Sequence, residues 1–470
     1  MRTLLSLCML LPGFSLFATH NKSGEIVYRK TGPLTLEAKI ITYTRAQSLA
    51  ADRDTLIIDW GDGTSEPVAR VNGVNGFGEL ITPETKHNIY TGTHTYAQAG
   101  VYTISMTDPN RITGIINLNP PASDNVPFHL LASVDFTPAA ALSLYSPVLQ
   151  EFPIDEAVLG QPWVHVPGAY DPDGDSLAFE LVMPFQATGM PAPNYTFPQD
   201  IAPGAENQLS VDPLTGKIVW DAPQVVGQYS LAIRIKSYRD GQLVETVLRD
   251  MLVFVNYGEN HPPMIVLDLP DNQILEVHPG DTVTVTTGVS DPDPGQSAAL
   301  QSSSGLYDFF APPAEFALFP GGGTFRWVVS AGQLREQPYT VAFKAKDDSG
   351  GLIGNGTPEQ DNGHGLATFK VLLFRVRQTV SAPDPVATQD RLQFFPNPTA
   401  GAVDVSLPAP AHEGARLRVL DLRGTILRDD ALPAGTTRRR IFLEGLPPAA
   451  YQLQVLTPGS APWSGLLLCR

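Results

Sequence analysis

The chain has almost no cysteine. Two of its 470 residues are Cys, Cys8 near the start and Cys469 beside the end. No disulfide framework can hold it, and its domains must be stable through packing alone. Long apolar runs are missing too, which leaves no membrane span in the mature chain. No long stretch keeps a convincing helical period. The nine histidines include no His-x-x-x-His, which argues against a zinc hydrolase. No Gly-x-Ser-x-Gly stands between a strand and a helix, and neither a Walker loop nor a dinucleotide fingerprint occurs. No catalysis is expected from this inventory. Positive charge is scarce: 31 Lys and Arg face 48 Asp and Glu, a net charge of −17. An acidic chain repels nucleic acid and anionic lipid, so neither is expected as a partner.

Turn formers are abundant, with 41 Gly and 43 Pro. Short alternating segments between them read as all-β. The clearest sign of organisation is a repeat. Gly216-Lys-Ile-Val-Trp220, a turn, and Tyr229-Ser-Leu-Ala-Ile-Arg-Ile-Lys236 recur as Gly323-Thr-Phe-Arg-Trp327, a turn, and Tyr339-Thr-Val-Ala-Phe-Lys-Ala-Lys346. Upstream, Gly160 and Gly280 each stand eleven residues before an Asp-Pro-Asp, at Asp171 and at Asp291. A turn, a Trp strand and a Tyr strand in the same order predict two copies of one domain. Gly100-Val-Tyr-Thr-Ile-Ser-Met106 is a weaker third echo. Trp220 and Trp327 hold equivalent places, which points to core packing.

The ends differ from the middle. Met1-Arg2, the apolar Leu4 to Leu11 and a small-residue stop at Ala18 predict a secretory signal peptide over 1–18. The expected domains are 19–146, 147–258 and 259–378, a linker over 379–391, and a C-terminal sandwich over 392–470. Two prolines, Pro262 and Pro263, stiffen one junction, and neighbours are expected end to end. The last 80 residues are basic, with nine Arg against six Asp and Glu, although the chain as a whole is acidic.

Several motifs carry resemblances. Trp60-Gly-Asp-Gly-Thr64, then His94-Thr-Tyr96 and Tyr102-Thr-Ile104, resemble the PKD domain, an immunoglobulin-like sandwich. Its Trp-to-His spacing is long here, which predicts an insertion over about 71–90. Regions 147–258 and 259–378 resemble cadherin-like and immunoglobulin-like sandwiches of bacterial surface proteins. The tail is similar to the type A C-terminal sorting domain of the type IX secretion system of Bacteroidota. Pro396-Asn397-Pro398, the turn Asp421 to Gly424, and Leu446-Pro447 before Tyr451 stand in that family's order. Ala450, where a Gly is usual, and the ending Leu-Leu-Leu-Cys-Arg depart from it. Ala18-Thr-His-Asn-Lys-Ser-Gly-Glu-Ile26, Ile58-Asp-Trp-Gly-Asp-Gly-Thr-Ser-Glu66, Pro167-Gly-Ala-Tyr-Asp-Pro-Asp-Gly-Asp-Ser-Leu177 and Leu248-Arg-Asp-Met251 resemble gliding-motility-associated surface proteins of the same bacteria. These likenesses imply export through the type IX machinery, removal of the tail by a sorting peptidase, and a place outside the cell or on its surface.

Asp171, Asp173 and Asp175 are the candidate ligating residues. Alternate carboxylates around a turn can converge on Ca²⁺, which takes six to eight oxygens. Glu259, at an acidic junction, would join them by analogy with cadherin-like domains. No cofactor is otherwise required. A plain type I turn explains Asp171, Pro172 and Gly174 equally well and leaves Asp175 unexplained. The expected work is adhesion or binding of an extracellular protein or glycan through exposed loops, above all 71–90 and 350–365. A carbohydrate-binding accessory protein and an enzyme of unrecognised type remain open.

Overall fold

The computed structural model describes residues 21–48, 52–137, 140, 143–348, 365–378, 392–397, 399, 401–421, 424–443, 445–447, 449–458 and 463–469. The expected signal peptide, the linker 379–391, Pro398 and all of 350–365 except Gly365 lie outside them. Among the described residues the only α-helix is the single turn Pro198–Ile201. The rest of the regular structure is strand with a few 3-10 turns, an all-β, immunoglobulin-like architecture. It divides into two compact units, residues 1–378 and 379–470.

The three largest cores of the first unit each belong to one sandwich. Around the first, strands Ser65–Ala69, Thr55–Asp59, Val101–Asp108 and Phe128–Asp135 face strands Asn21–Lys30, Thr35–Arg45, Thr85–Thr95 and Glu79–Thr82. Their inward residues alternate as a half-buried strand requires: Ile26, Ala38, Ile40 and Tyr90 meet Ile58, Trp60, Ile104 and Leu130.

The strand Gln242–Asn256 closes this sandwich, and it belongs by sequence to the next one. Glu245 to Val247 pair with Ala132 to Val134. Asp250 lies opposite Gly24, and Val247 enters the first core. Further along, Leu252 to Asn256 pair in parallel with Ile154–Val158. The whole strand also pairs with Gly227–Arg239. The boundary expected between 146 and 147 is therefore crossed by one continuous sheet. The reason is length: at roughly 3.3 Å per residue, a fifteen-residue strand reaches well past one sandwich. Gly24 is needed for the packing on its other side, because a Cβ there would stand 2.5 Å from the Ile41 carbonyl oxygen.

The second core joins that sheet to Trp163–His165, Ile218–Trp220 and Leu209–Val211. The third is enclosed by two four-stranded sheets. One runs Met264–Leu267, Thr282–Ser290, Gly322–Val328, Glu315–Phe319, and the other Ile274–Val277, Ala367–Val376, Tyr339–Asp347, Ala298–Ser303. Second and third sandwiches also touch laterally rather than only end to end. Val166 is buried against Ala342, Phe369, Val371 and Leu373.

The repeated Trp and Tyr do the same work in each copy. Trp220 meets Tyr229 edge-on at 4.9 Å, and Trp327 lies 5.4 Å from Tyr339. The Tyr229 hydroxyl donates to the Val225 carbonyl at 2.7 Å, and Tyr339 to Gln333 at 2.9 Å. Tyr102 donates to Gln98 at 2.8 Å. In the second unit Tyr451 donates to Pro447 at 2.6 Å. A tyrosine bonding back to the chain a few residues upstream is a corner device of immunoglobulin-like sandwiches, and all four cores have it.

The second unit packs Gln393–Phe395, Ala402–Ser406 and Arg438–Phe442 against Ile426–Ala431, Arg416–Leu420, Ala450–Leu456 and Trp463–Leu468. Val403, Val405, Leu417, Val419, Leu453 and Val455 fill its core.

Candidate functional site

The acidic turn 171–175 sits where the chain enters the second sandwich, and each carboxylate is already engaged. Asp171 accepts the amides of Asp173 and Asp175 at 2.9 and 3.1 Å, the turn geometry expected of a first-position Asp. Asp173 accepts the amides of Leu144 and Tyr145 at 2.6 and 2.7 Å. Those residues belong to the segment arriving from the first sandwich. Asp175 takes Arg239 Nε at 2.5 Å and the Ser143 hydroxyl. The third sandwich repeats part of this. Asp293 accepts the arriving His261 amide at 2.7 Å, and Asp291 accepts the Asp293 amide at 2.8 Å.

These donors do not fit a calcium ion. A cation needs free lone pairs converging on one point. Here guanidinium, amide and hydroxyl hydrogens hold those lone pairs, and among the described residues no three acidic, His or Cys groups converge on a metal position. Glu259 is exposed and lines a separate cleft with Gln161, His261 and Asp293. The structure does not bring it to the other three.

Beside the turn lies a carboxylate that sequence reasoning missed. Glu245 is fully buried beside the Tyr28 hydroxyl, which donates to the Ser133 carbonyl at 2.7 Å. Burial first, and then the Asp171 charge, push its pKa up to about 9, with Lys30 opposing. Burial and the neighbouring Asp175 raise Asp171 to about 7.

Two motifs set apart in the sequence meet at the joint between the first two sandwiches. Arg249 makes a two-pronged pair with Glu25 at 3.0 and 2.7 Å and donates to the Glu151 carbonyl at 2.7 Å. All of these groups are buried. Asp250, next along, pairs with the buried Arg111 at 2.7 Å. The Glu151 carboxylate in turn takes Lys344 of the third sandwich at 2.9 Å. The signal was visible: an adjacent Arg-Asp running straight into the apolar Met251 to Val255 needs partners.

The insertion forms the short strand Glu79–Thr82 and a tied loop before it. Asn72 accepts the Ile89 amide at 2.8 Å and donates to the His87 carbonyl at 3.0 Å, and its own carbonyl takes the Gly78 amide at 3.0 Å. The loop is thus held mainly by the Asn72 side chain, with Ile81 packed against the core and four other apolar side chains left outside. Val71, Val74, Phe77 and Leu80 stand 58, 82, 66 and 69% exposed. The strand Glu79–Thr82 is an edge, paired only with Thr85–Thr95. Trp60, Trp163, Trp220 and Trp327 are all buried, so none of them offers a sugar platform.

In the second unit, Asn397 donates to the Leu466 carbonyl at 2.9 Å and accepts the Leu468 amide at 2.8 Å, which pins the last strand. Pro396 beside it is exposed. Asp421 accepts the Thr425 amide at 2.8 Å, and Gly424, at φ 86°, completes that turn. Tyr451 is the corner residue already described.

No protein-family model matches this chain, and no curated protein sequence does. Among solved structures the chain is similar to titin domains A168–A170, at 13% identity over 69% of this chain and 99% of that one, with a TM-score of 0.17. It is also similar to human protocadherin-24 EC1-2, at 15% over 49 and 98%, TM-score 0.15. A third is protocadherin gamma B2 domains 1–5, at 11% over 88 and 73%, TM-score 0.17. The fold assignment stands on the sheets, cores and tyrosine corners above.

Proposed function

We propose that this chain is an exported binding or adhesion protein whose contact surface is the insertion 71–82. One observation carries the reading. Four large apolar side chains are displayed within ten residues on a loop fixed by the hydrogen bonds of Asn72. Exposed apolar clusters on a rigid frame mark recognition surfaces, and a preorganised loop loses little entropy on binding. Every candidate carboxylate is either tied up in a joint or exposed alone, which favours a partner held by apolar contact over a metal-bridged one. The C-terminal unit is read as the label by which type IX secretion machinery passes the chain outward, a sorting peptidase then removing it. Among the described residues no helix is long and apolar enough to cross a membrane, which agrees with release or surface attachment.

The test is a labelled full-length chain carrying Val74→Ser and Phe77→Ser, applied to the cells that produce it and to insoluble polysaccharide. Retention on the cells is expected to fall at least tenfold with the melting temperature unchanged. Undiminished retention would remove the insertion as the contact surface. Retention on polysaccharide alone would replace a protein partner with a glycan.

A further inference from the structure

The outer face of the three-stranded sheet in the second unit has an unusual composition. Register places Phe395, Asp404 and Arg440 in one row across the sheet. Gln393, Ser406 and Arg438 form the next row, and Ala402 with Phe442 a flanking one. Phe395 is 77% exposed and Phe442 54%. Arg438 and Arg440 both lean on the single carboxylate of Asp404, at 3.3 and 3.0 Å. Arg439, opposite the core residue Val405, alternates to the other side of the strand. Two guanidiniums against one carboxylate leave this face positive, in a chain of net charge −17.

Edge protection explains only part of this. Arg438–Phe442 is an edge strand, and charges on an edge discourage pairing with another strand. Arg428 also donates to the Phe442 carbonyl, occupying one acceptor of that edge. Neither point accounts for two phenyl rings in water on the face itself. Arg and aromatic side chains together are the composition of binding hot spots.

We infer that this face docks onto a protein surface that presents carboxylates around an apolar centre. Asp404 selects that partner class. It stands in the middle row between a ring and a guanidinium, where a phosphate-rich nucleic acid or lipid surface would meet a negative charge at the centre of its footprint. A protein partner can set a donor against Asp404 and carboxylates against the arginines. Bidentate pairing with carboxylates is what a guanidinium does best. The inference rests on the reading of the C-terminal unit as a segment recognised by another protein, and it names the face and the chemistry of that recognition.

A photo-cross-linking residue is placed at position 442 of the full-length chain in the producing cells. A second chain carries it at position 454, on the outer face of the other sheet. The expected result is one adduct from 442, its partner peptide rich in Asp and Glu, and none from 454. Arg438→Glu with Arg440→Glu should cut that adduct at least tenfold, and Arg438→Lys with Arg440→Lys should keep at least half of it. A single Phe395→Ser change, remote from the arginine strand's own pairing, serves as a second variant and should cut it at least threefold. Equal adducts from both positions, a partner peptide without acidic residues, or indifference to charge reversal would overturn the inference. So would binding of the purified chain to phosphatidylglycerol vesicles that the same reversal abolishes. A chain ending at 390 is measured in parallel. Export of that chain as efficiently as the whole would sink the label reading, whereas the adduct experiment judges the face.

Discussion

Replacing Glu25 by Gln should destabilise two sandwiches at once. The change leaves the shape of the side chain and removes the charge facing Arg249, whose guanidinium is buried. Breaking a buried pair by removing one partner costs about 3–5 kcal/mol. The Gln keeps one acceptor, and Arg249 keeps its bond to the Glu151 carbonyl, which argues for the lower end, about 3 kcal/mol. For a region of this size that corresponds to roughly 6–12 °C in melting temperature. The strand carrying Arg249 is bonded to Asn21–Lys30 and Phe128–Asp135 as well as to Gly227–Arg239. Both sandwiches should therefore lose protection together. Calorimetry gives the size of the loss, and amide exchange locates it: Ile26 and Ile40 should loosen in step with Leu231 and Ile233. Glu180→Gln is the control, because its pairs with Arg234 and Lys236 are half exposed and are worth under about 1 kcal/mol. Glu25→Leu with Arg249→Met should recover most of the loss, since an apolar pair of similar volume removes the orphaned charge. A Glu25→Gln effect below about 1 kcal/mol, or loosening confined to residues before 146, would refute a shared sheet as the source of cooperativity.

Three further outcomes follow from the same geometry. Glu245 is held to about 9 against an ordinary 4.5, and Asp171 to about 7 against 3.8. The folded state therefore keeps protons that the unfolded chain releases, and stability falls as pH rises. The fall should be steepest between about pH 4.5 and 7, where both groups contribute, and should end near pH 9. Urea titrations at pH 5, 7 and 9 should show Glu245→Gln gaining on the parent as pH rises; a constant difference would refute the assignment. Asp173→Asn should cost about 1–2 kcal/mol by weakening two charge-assisted bonds to the arriving backbone, with the melting temperature of parent and variant alike indifferent to a calcium chelator; a chelator-induced drop would restore the metal reading. Tyr451→Phe removes one corner bond and should cost about 1 kcal/mol in the C-terminal unit alone, read by Trp463 fluorescence; a shift in the residues before 378 would contradict the division into two units.

Much of the frame was legible in the sequence because it is local. Period-two alternation and Gly-punctuated turns specify strands, and Trp220, Tyr229, Trp327 and Tyr339 recur in the same order because each copy packs the same corner. The joints were not legible, since their partners are far apart in the chain. Asp173 acts on Leu144 and Tyr145, upstream of its own sandwich, and Glu25 acts on Arg249 across more than two hundred residues. A strand's length can be read from its residues, but which second sheet its overhang will join cannot.

The two acidic turns also explain each other. In both copies the second Asp of Asp-Pro-Asp accepts an amide from the segment entering the sandwich. The common element is a clasp on the incoming chain, made by a carboxylate that backbone N–H groups satisfy. What differs is the third acid. Asp175 has Arg239 as its partner. In the third sandwich the matching turn position is Gly295, and the residue 110 places after Arg239 is Ser349. Acid and arginine are absent together there. A carboxylate kept for a cation would have no use for a guanidinium on its own oxygen, and losing the one would not require losing the other. Their joint presence in one copy and joint absence in the next is what an ion pair added to a common clasp produces. It also assigns Asp175, the one residue that the turn alone left unexplained.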